Sequence, residues 1–221
     1  MRSKSFRIET PRIPKQLSNK VITTLENEAE YAAVMLSGCD LARQKAEDIL
    51  LDQAHLRRVN LNRTGLKNLR IFDSRIEDAD ISGAIWEHAR FRRVEFIGCR
   101  LLGIQLMEAE MENAFFRECI LENAILISAK LSSVLFEKCN LQNSSIEKTT
   151  LAETVFRNCD LTNAIFSGTK FSGTDLRGSS IGRMQIDPRD VRGAIIDSTQ
   201  ALQAVGLLGV ILKDEDEQTF S

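Results

Sequence analysis

Four segments decide the fold: VEFIGCRL (Val94–Leu101), AFFRECIL (Ala114–Leu121), VLFEKCNL (Val134–Leu141) and TVFRNCDL (Thr154–Leu161). They recur every 20 residues and carry Phe and Cys in one register: Phe96, Phe116, Phe136 and Phe156 with Cys99, Cys119, Cys139 and Cys159. Working outward from them, a shorter period lies inside the longer one. Every fifth residue from Tyr31 to Ile196 is apolar, in a chain that is 43% hydrophobic. Neither the helical period of 3.6 nor the strand period of 2 generates a five-residue repeat.

The positions around each apolar centre explain the pentapeptide. Two residues before it the chain is mostly small, as at Ala79, Ala84, Ala109 and Thr154, which lets neighbouring backbones approach. Two residues after it come most of the glycines, among them Gly38, Gly98 and Gly178, and several asparagines such as Asn68 and Asn143. Both types tolerate positive φ. Each pentapeptide is therefore a short extended side followed by a corner. The 20-residue superperiod closes four sides into one coil, so like residues stack as columns. The expected fold is all-β: a right-handed quadrilateral β-helix of pentapeptide repeats. It has about 8 coils and a length of roughly 40 Å at the usual strand spacing, and ends in a short C-terminal helix cap.

The expected organisation is an N-terminal arm or cap over 1–28, a β-helix over 29–197, a cap and dimer element over 198–212, and a disordered acidic tail over 213–221. Pro11 and Pro14 would block further strand pairing at one end. No proline then occurs until Pro188, so an uninterrupted shaft is expected from 31 to 196. Asp197 and Ser198 read as a helix start, Gly206 or Gly209 as its stop, and Val210–Leu212 as a last strand.

Composition narrows function. The 29 basic and 31 acidic residues leave a net charge of −2, with no basic footprint for nucleic acid. No apolar run is long enough to cross a membrane, and the basic N-terminus lacks a secretion signal's apolar stretch. Five Cys without a CxxC pair fit reduced thiols in a cytoplasmic protein. A cysteine column could be a redox or soft-metal ladder, or small residues filling an inner edge; the latter is the commoner fate of free Cys. His55 and His88 fall on different sides, facing outward, and cannot pair with a buried thiol. The chain carries no phosphate loop, HExxH or GxSxG. No catalytic, cofactor-binding or metal residue is therefore assigned, and no enzyme activity is expected.

The triplets Cys39-Asp40-Leu41, Cys139-Asn140-Leu141 and Cys159-Asp160-Leu161, with Thr174-Asp175-Leu176-Arg177-Gly178, resemble the pentapeptide-repeat superfamily, whose pattern is roughly A(D/N)Lxx. The resemblance covers about three-quarters of the chain and implies the quadrilateral β-helix independently. The C-terminal segment Asp197-Ser198-Thr199-Gln200-Ala201, followed by Leu208-Gly209-Val210, resembles the quinolone-resistance members. That subgroup's known properties imply a DNA-mimicking rod that binds DNA gyrase and dimerises through its C-terminal end. The unbroken register here leaves no room for the loops that many of those members project from the shaft.

A surface must carry any function. The side centred on Trp86, Leu106, Leu126, Ile146 and Phe166 presents Ile85, Met107, Ile125, Ile127 and Ile165 among Glu87, Glu108 and Glu147, and has a net charge of −3. It is the candidate partner surface. A second outward column is Phe115, Leu135 and Val155. At the cap, Val205, Leu207, Leu208, Val210, Ile211 and Leu212 exceed what one helix needs to cover a coil edge and are the candidate homodimer interface. DNA mimicry faces a test of magnitude. Duplex of the rod's length shows roughly 23 negative charges, whereas residues 36–198 hold 23 acidic and 22 basic side chains.

Overall fold

A computed structural model describes residues 6–211. The expected acidic tail and Leu212 lie outside the described residues. The shaft is a parallel β-solenoid whose coils pair at 20-residue spacing, from Glu30↔Leu50 to Asp175↔Ile195, and Ser18–Lys20 adds a strand to residues 34–36 at a spacing of 16. The four sides differ in regularity. Sides one and two merge into continuous strands, Arg70–Glu77, Arg90–Ile97, Glu110–Arg117, Lys130–Glu137 and Thr150–Arg157. Sides three and four are held by single bridges such as Asp80↔Arg100 and Ile125↔Ser145, except that side four begins as a strand pair, Lys45–Glu47 with Gly65–Lys67. The corner between these two is a hydrogen-bonded turn, as in Ala84 N–H to the Ile81 carbonyl and Ala124 N–H to that of Leu121.

Every non-glycine residue with positive φ from Ala33 to Arg183 lies two positions after an apolar centre, and Glu28 keeps the same five-residue register. The corner is thus a backbone property of the repeat, with glycine favoured there but not required. Pro188 falls on this position. Its ring fixes φ near −65°, so the corner cannot form, and the strand pattern gives way to turns over residues 188–193. The expected uninterrupted shaft is corrected there. Pairing resumes one side later at Ile195.

The interior is a set of stacked columns. Phe96, Phe116, Phe136 and Phe156 are fully buried, with ring centroids 4.7, 4.8 and 5.0 Å apart and nearly parallel planes. The spacing of coils fixes the spacing of rings, and successive rings lie in the distance range of favourable aromatic contact. All five cysteines are buried in one column, completed by Val59, Ala79 and Ser179. The Cys119, Cys139 and Cys159 thiols donate to the carbonyls of Phe96, Phe116 and Phe136 on the previous coil, at 3.3–3.4 Å. Ser179 makes the same bond to Phe156 at 3.0 Å. Thr169 does so on another side, to Ile146 at 2.7 Å. At these inner positions Cys, Ser and Thr return the polar atom to the ladder, whereas the buried Ser144 and Thr174 hydroxyls have no partner. Trp86 is buried because its indole N–H reaches Thr64 Oγ1 at 3.0 Å.

Each end of the shaft uses a glutamine. At the first coil, Gln44 accepts the Leu25 N–H at 2.7 Å and donates to the Thr23 carbonyl at 2.8 Å, while Ile22 and Leu25 pack on the core. At the last coil, the buried Gln200 donates to the carbonyls of Leu176 and Ser179. Asp197 and Gln200 form a reciprocal capping box at a 3-10 turn, Ser198–Gln200, which leads into the helix Ala201–Leu207. Gly209 follows with φ 75°. Val210 and Ile211 form no strand; they lie beyond the capped edge and find no ladder to join.

Removing one ring from the Phe column leaves a void that parallel coils cannot close without losing register. Phe136→Ala should cost about 3–5 kcal/mol, as for other buried aromatics. Urea melts of the two proteins check this; a variant that unfolds with the wild type would contradict the column.

Candidate interaction surfaces

The outer face of each side carries three residues per coil, and its character is set by what recurs at intervals of 20. On side four, the column through Ile85, Gln105, Ile125, Ser145 and Ile165 alternates apolar and polar. Ile85 is 42% exposed, and Ile125 and Ile165 are half-buried. The neighbouring column places Glu87, Met107, Ile127 and Glu147 in order, each half-buried. Met107 and Ile127 are adjacent, so with Ile125 they make a small continuous apolar patch. Its acids are not free: Glu108 lies 3.4 Å from His88 Nδ1, and Glu147 accepts from Ser145 Oγ at 2.6 Å.

Charge elsewhere is paired between coils. Arg75 meets Glu95 at 2.7 Å, Arg117 meets Glu137 at 3.1 Å, Lys130 meets Glu110 at 2.8 Å, and Lys138 meets Glu118 at 3.3 Å. All four pairs are 20 residues apart, so at these positions opposite charges meet between coils where duplex DNA repeats one sign, although Arg70 lies beside Arg90. Lys130 holds the Glu110 carboxyl below its ordinary range. Asp73 is lowered first by the Arg93 side chain, which donates at 2.6 Å, and then by the Arg12 backbone N–H. His55 Nε2 sits 3.1 Å from Glu77, on a different side from His88. Cys119 is held strongly protonated by contact with the Cys139 and Cys99 thiols and by burial.

The cap separates its apolar residues. Leu207 and Ala204 pack on the core, and Val205 is half-buried. Leu208 and Val210 are about half exposed, and Ile211 is 82% exposed. Leu202, on the same helix, is 71% exposed, and Ile195 on the last coil is 44% exposed. Sequence reasoning missed both, because each lies on a regular repeat or helix position and only the fold shows which way it faces.

The second apolar column has company. Val155 is buried, and Phe6 and Arg7 share a groove with Val155, Arg157, Asp175, Arg177 and Ile195. Phe115 and Leu135 are half-buried, and the Arg117 guanidinium lies 4.6 Å from the Phe115 ring centre.

Among the described residues no group of three or more His, Cys, Asp or Glu could hold a metal ion, and no helix is long and apolar enough to cross a membrane. The enclosed space at the first coils, lined by Leu25, Tyr31, Leu36, Leu51 and Trp86 among others, amounts to about 20 Å³ and is apolar. That is room for roughly one water and lies far below the usual ligand pocket.

Four sides, a 20-residue coil, left-handed corners and an Asp or Asn before many apolar centres define a pentapeptide-built β-solenoid. Residues 89–190 are a pentapeptide repeat region: the family profile of that description matches residues 89–166 and 116–190. Similar solved structures include full-length QnrB1, a plasmid-mediated fluoroquinolone resistance protein. It is 19% identical, with 87% of this chain and 100% of that chain covered and a TM-score of 0.39. A pentapeptide repeat protein from the Arabidopsis thaliana thylakoid lumen is 25% identical over 46% of this chain and 67% of that one, with a TM-score of 0.39. HetL, involved in heterocyst differentiation regulation in the cyanobacterium Nostoc, is 17% identical over 83% of this chain and 93% of that one, with a TM-score of 0.28. No curated protein matches in sequence.

Proposed function

We propose that the protein is a non-enzymatic, rigid β-helical scaffold for protein–protein interaction, working as a homodimer in the cytoplasm. The observation that carries this reading is the filled interior. Columns of buried side chains run the length of the shaft, and the one internal space described above has no polar lining, so recognition is left to the outer faces. The buried, unpaired thiols favour a reducing compartment. Side four is the proposed partner face, through Ile85, Glu87, Met107, Glu108, Ile125, Ile127, Glu147 and Ile165. The Ile85→Asp, Ile125→Asp double variant should keep the wild-type melting curve and lose the partner that the full wild-type chain captures from its native host. Capture that survives the double change would remove side four from the reading.

The dimer is proposed at the cap, through Val205, Leu207, Leu208, Val210, Ile211 and Leu212, where Leu202 adds to the exposed apolar area. Two-fold pairing is the commonest way to cover such a surface. Light scattering should return about twice the monomer mass of 24.8 kDa. A monomer at high concentration would reject the interface.

A second reading is a DNA-mimicking protein that binds DNA gyrase and modulates it or protects it from fluoroquinolones. The capping box at Asp197 and Gln200 favours it, being built from the residues that resemble the quinolone-resistance members. The inter-coil ion pairs oppose it. On this reading binding weakens as salt rises, and Glu108→Lys with Glu147→Lys abolishes the effect on purified gyrase while the fold persists. A wild-type protein that at micromolar concentration and low salt leaves supercoiling and fluoroquinolone inhibition unchanged would eliminate the second reading and spare the first.

A further inference from the structure

The N-terminal arm does not simply precede the shaft; it runs back along it. The Glu9 N–H donates to Asn113 Oδ1 at 3.1 Å, and the Arg12 N–H donates to Asp73 Oδ1 at 3.1 Å. Asn113 and Asp73 occupy the same corner column, between sides one and two, and are two coils apart. Three arm residues therefore span two coils. Three residues of extended chain cover about 9–10 Å, and two coils rise about 9.6 Å, so the two repeats are commensurate. The match continues toward the N-terminus. Phe6, three residues before Glu9, shares its groove with Glu153, Thr154 and Val155, two coils beyond Asn113. At the other end the match is lost: six residues separate Arg12 from Ser18, whose N–H donates at 3.0 Å to the Ala33 carbonyl, two coils from Asp73 in the same column.

The arm's side chains follow the same period. Ile8, Pro11 and Pro14 are half-buried, whereas Glu9, Arg12 and Lys15, one position later, are exposed. Each donor amide whose bond is described thus follows a residue turned to the shaft. The receiving wall offers apolar surface at Phe115, Leu135 and Val155 and acceptors at Asp73 and Asn113. Asp73 is itself fixed by Arg93. Neither acceptor bond reads a side chain of the arm; both read backbone at a set spacing. Such a wall recognises an extended conformation and a period, as polyproline-type recognition does.

We propose that the corner groove between sides one and two is a docking groove for an extended segment of a partner protein, with apolar residues or prolines at three-residue spacing and a free backbone N–H after each. Residues 6–14 occupy it in cis. The inference rests on the scaffold reading and deepens it by assigning a second face and the chemistry of its ligand. A partner must displace the arm, whose tether to the first coil gives it a high effective concentration.

The test uses full-length protein and, as probe, a fluorescent peptide of residues 6–16. Phe6→Asp and Ile8→Asp together replace two half-buried apolar side chains of the arm while leaving the groove intact; Ile8→Asp alone is the milder form. Amide exchange at residues 9 and 12 should lose protection in both. The peptide should then bind saturably, at least about tenfold tighter than to the wild type, a difference of about 1.4 kcal/mol. Adding Asn113→Leu should reverse that gain. A released arm with no peptide binding would overturn the proposal, as would binding indifferent to Asn113→Leu or amides that stay protected. Since side four is untouched throughout, failure here leaves the Ile85 and Ile125 experiment standing.

Discussion

The left-handed corner is the constraint on which the rest of the structure depends. An L-residue held at positive φ is disfavoured by about 1–2 kcal/mol, less for Asn or Asp, and the shaft repeats this every five residues with Arg43, Gln53, Arg63, Glu108 and Lys148 among the residues accepting it. A single coil could not sustain such a series. What sustains it is the next coil, because the corner amide donates to a carbonyl there: Arg43 to Asn62, Asn68 to Glu87, His88 to Met107, all at 2.8–3.1 Å. A net gain of about 0.5–1.5 kcal/mol per such bond is comparable with the strain. The margin comes from the apolar columns that stacking buries. Pro188 shows the rule by breaking it: with φ fixed it cannot take the corner, and the strand pattern gives way to turns there.

The same stacking decides the surface. Residues 20 apart face each other across a coil, so a column of like charge would repel along its whole length, whereas alternating charge is attractive. Such exposed pairs contribute little individually, but they determine the field the rod presents. Arg90, Glu110 and Lys130 in one column leave a net of +1, and Arg70 beside Arg90 makes the stripe more positive still. A rod meant to stand in for phosphates would need the opposite arrangement and would bear the resulting repulsion. The local geometry of this surface, more than its net charge of −2, makes a generic protein scaffold the better reading.

Much of this was legible in the sequence because the fold is periodic. The five-residue spacing named the inward positions, and the 20-residue spacing of Cys and Phe named the columns; both depend only on chain geometry. Pro188 was visible as a residue, but its effect follows from its place at a corner, and the corner's φ is a backbone fact. The exposure of Leu202 and the burial of Leu207 were not separable, since both lie on one short helix whose rotation is set by Gln200 reaching the Leu176 carbonyl. The arm was hardest to read. Its period is only three, spans Ile8 to Pro14, and acquires meaning only against the coil rise, which belongs to another part of the chain.

That arm changes how the rod should behave as a repeat protein. In a solenoid each coil contacts its neighbours alone, and opening can start at either end and spread. The two ends here are closed separately, by Gln44 with Ile22 and Leu25, and by Asp197 with Gln200. The arm joins what the coils do not. It starts from the first coil, touches the corner column at Asp73 and Asn113, and reaches the groove that includes Ile195 of the last turn. Coils far apart in the stack thereby share one strand, so loosening the middle of the rod also strips contacts from the arm. A ligand that takes the arm's place in trans would restore the contacts but not the tether to the first coil. Occupancy of the groove and cooperativity of the shaft are on this account coupled through the same few hydrogen bonds.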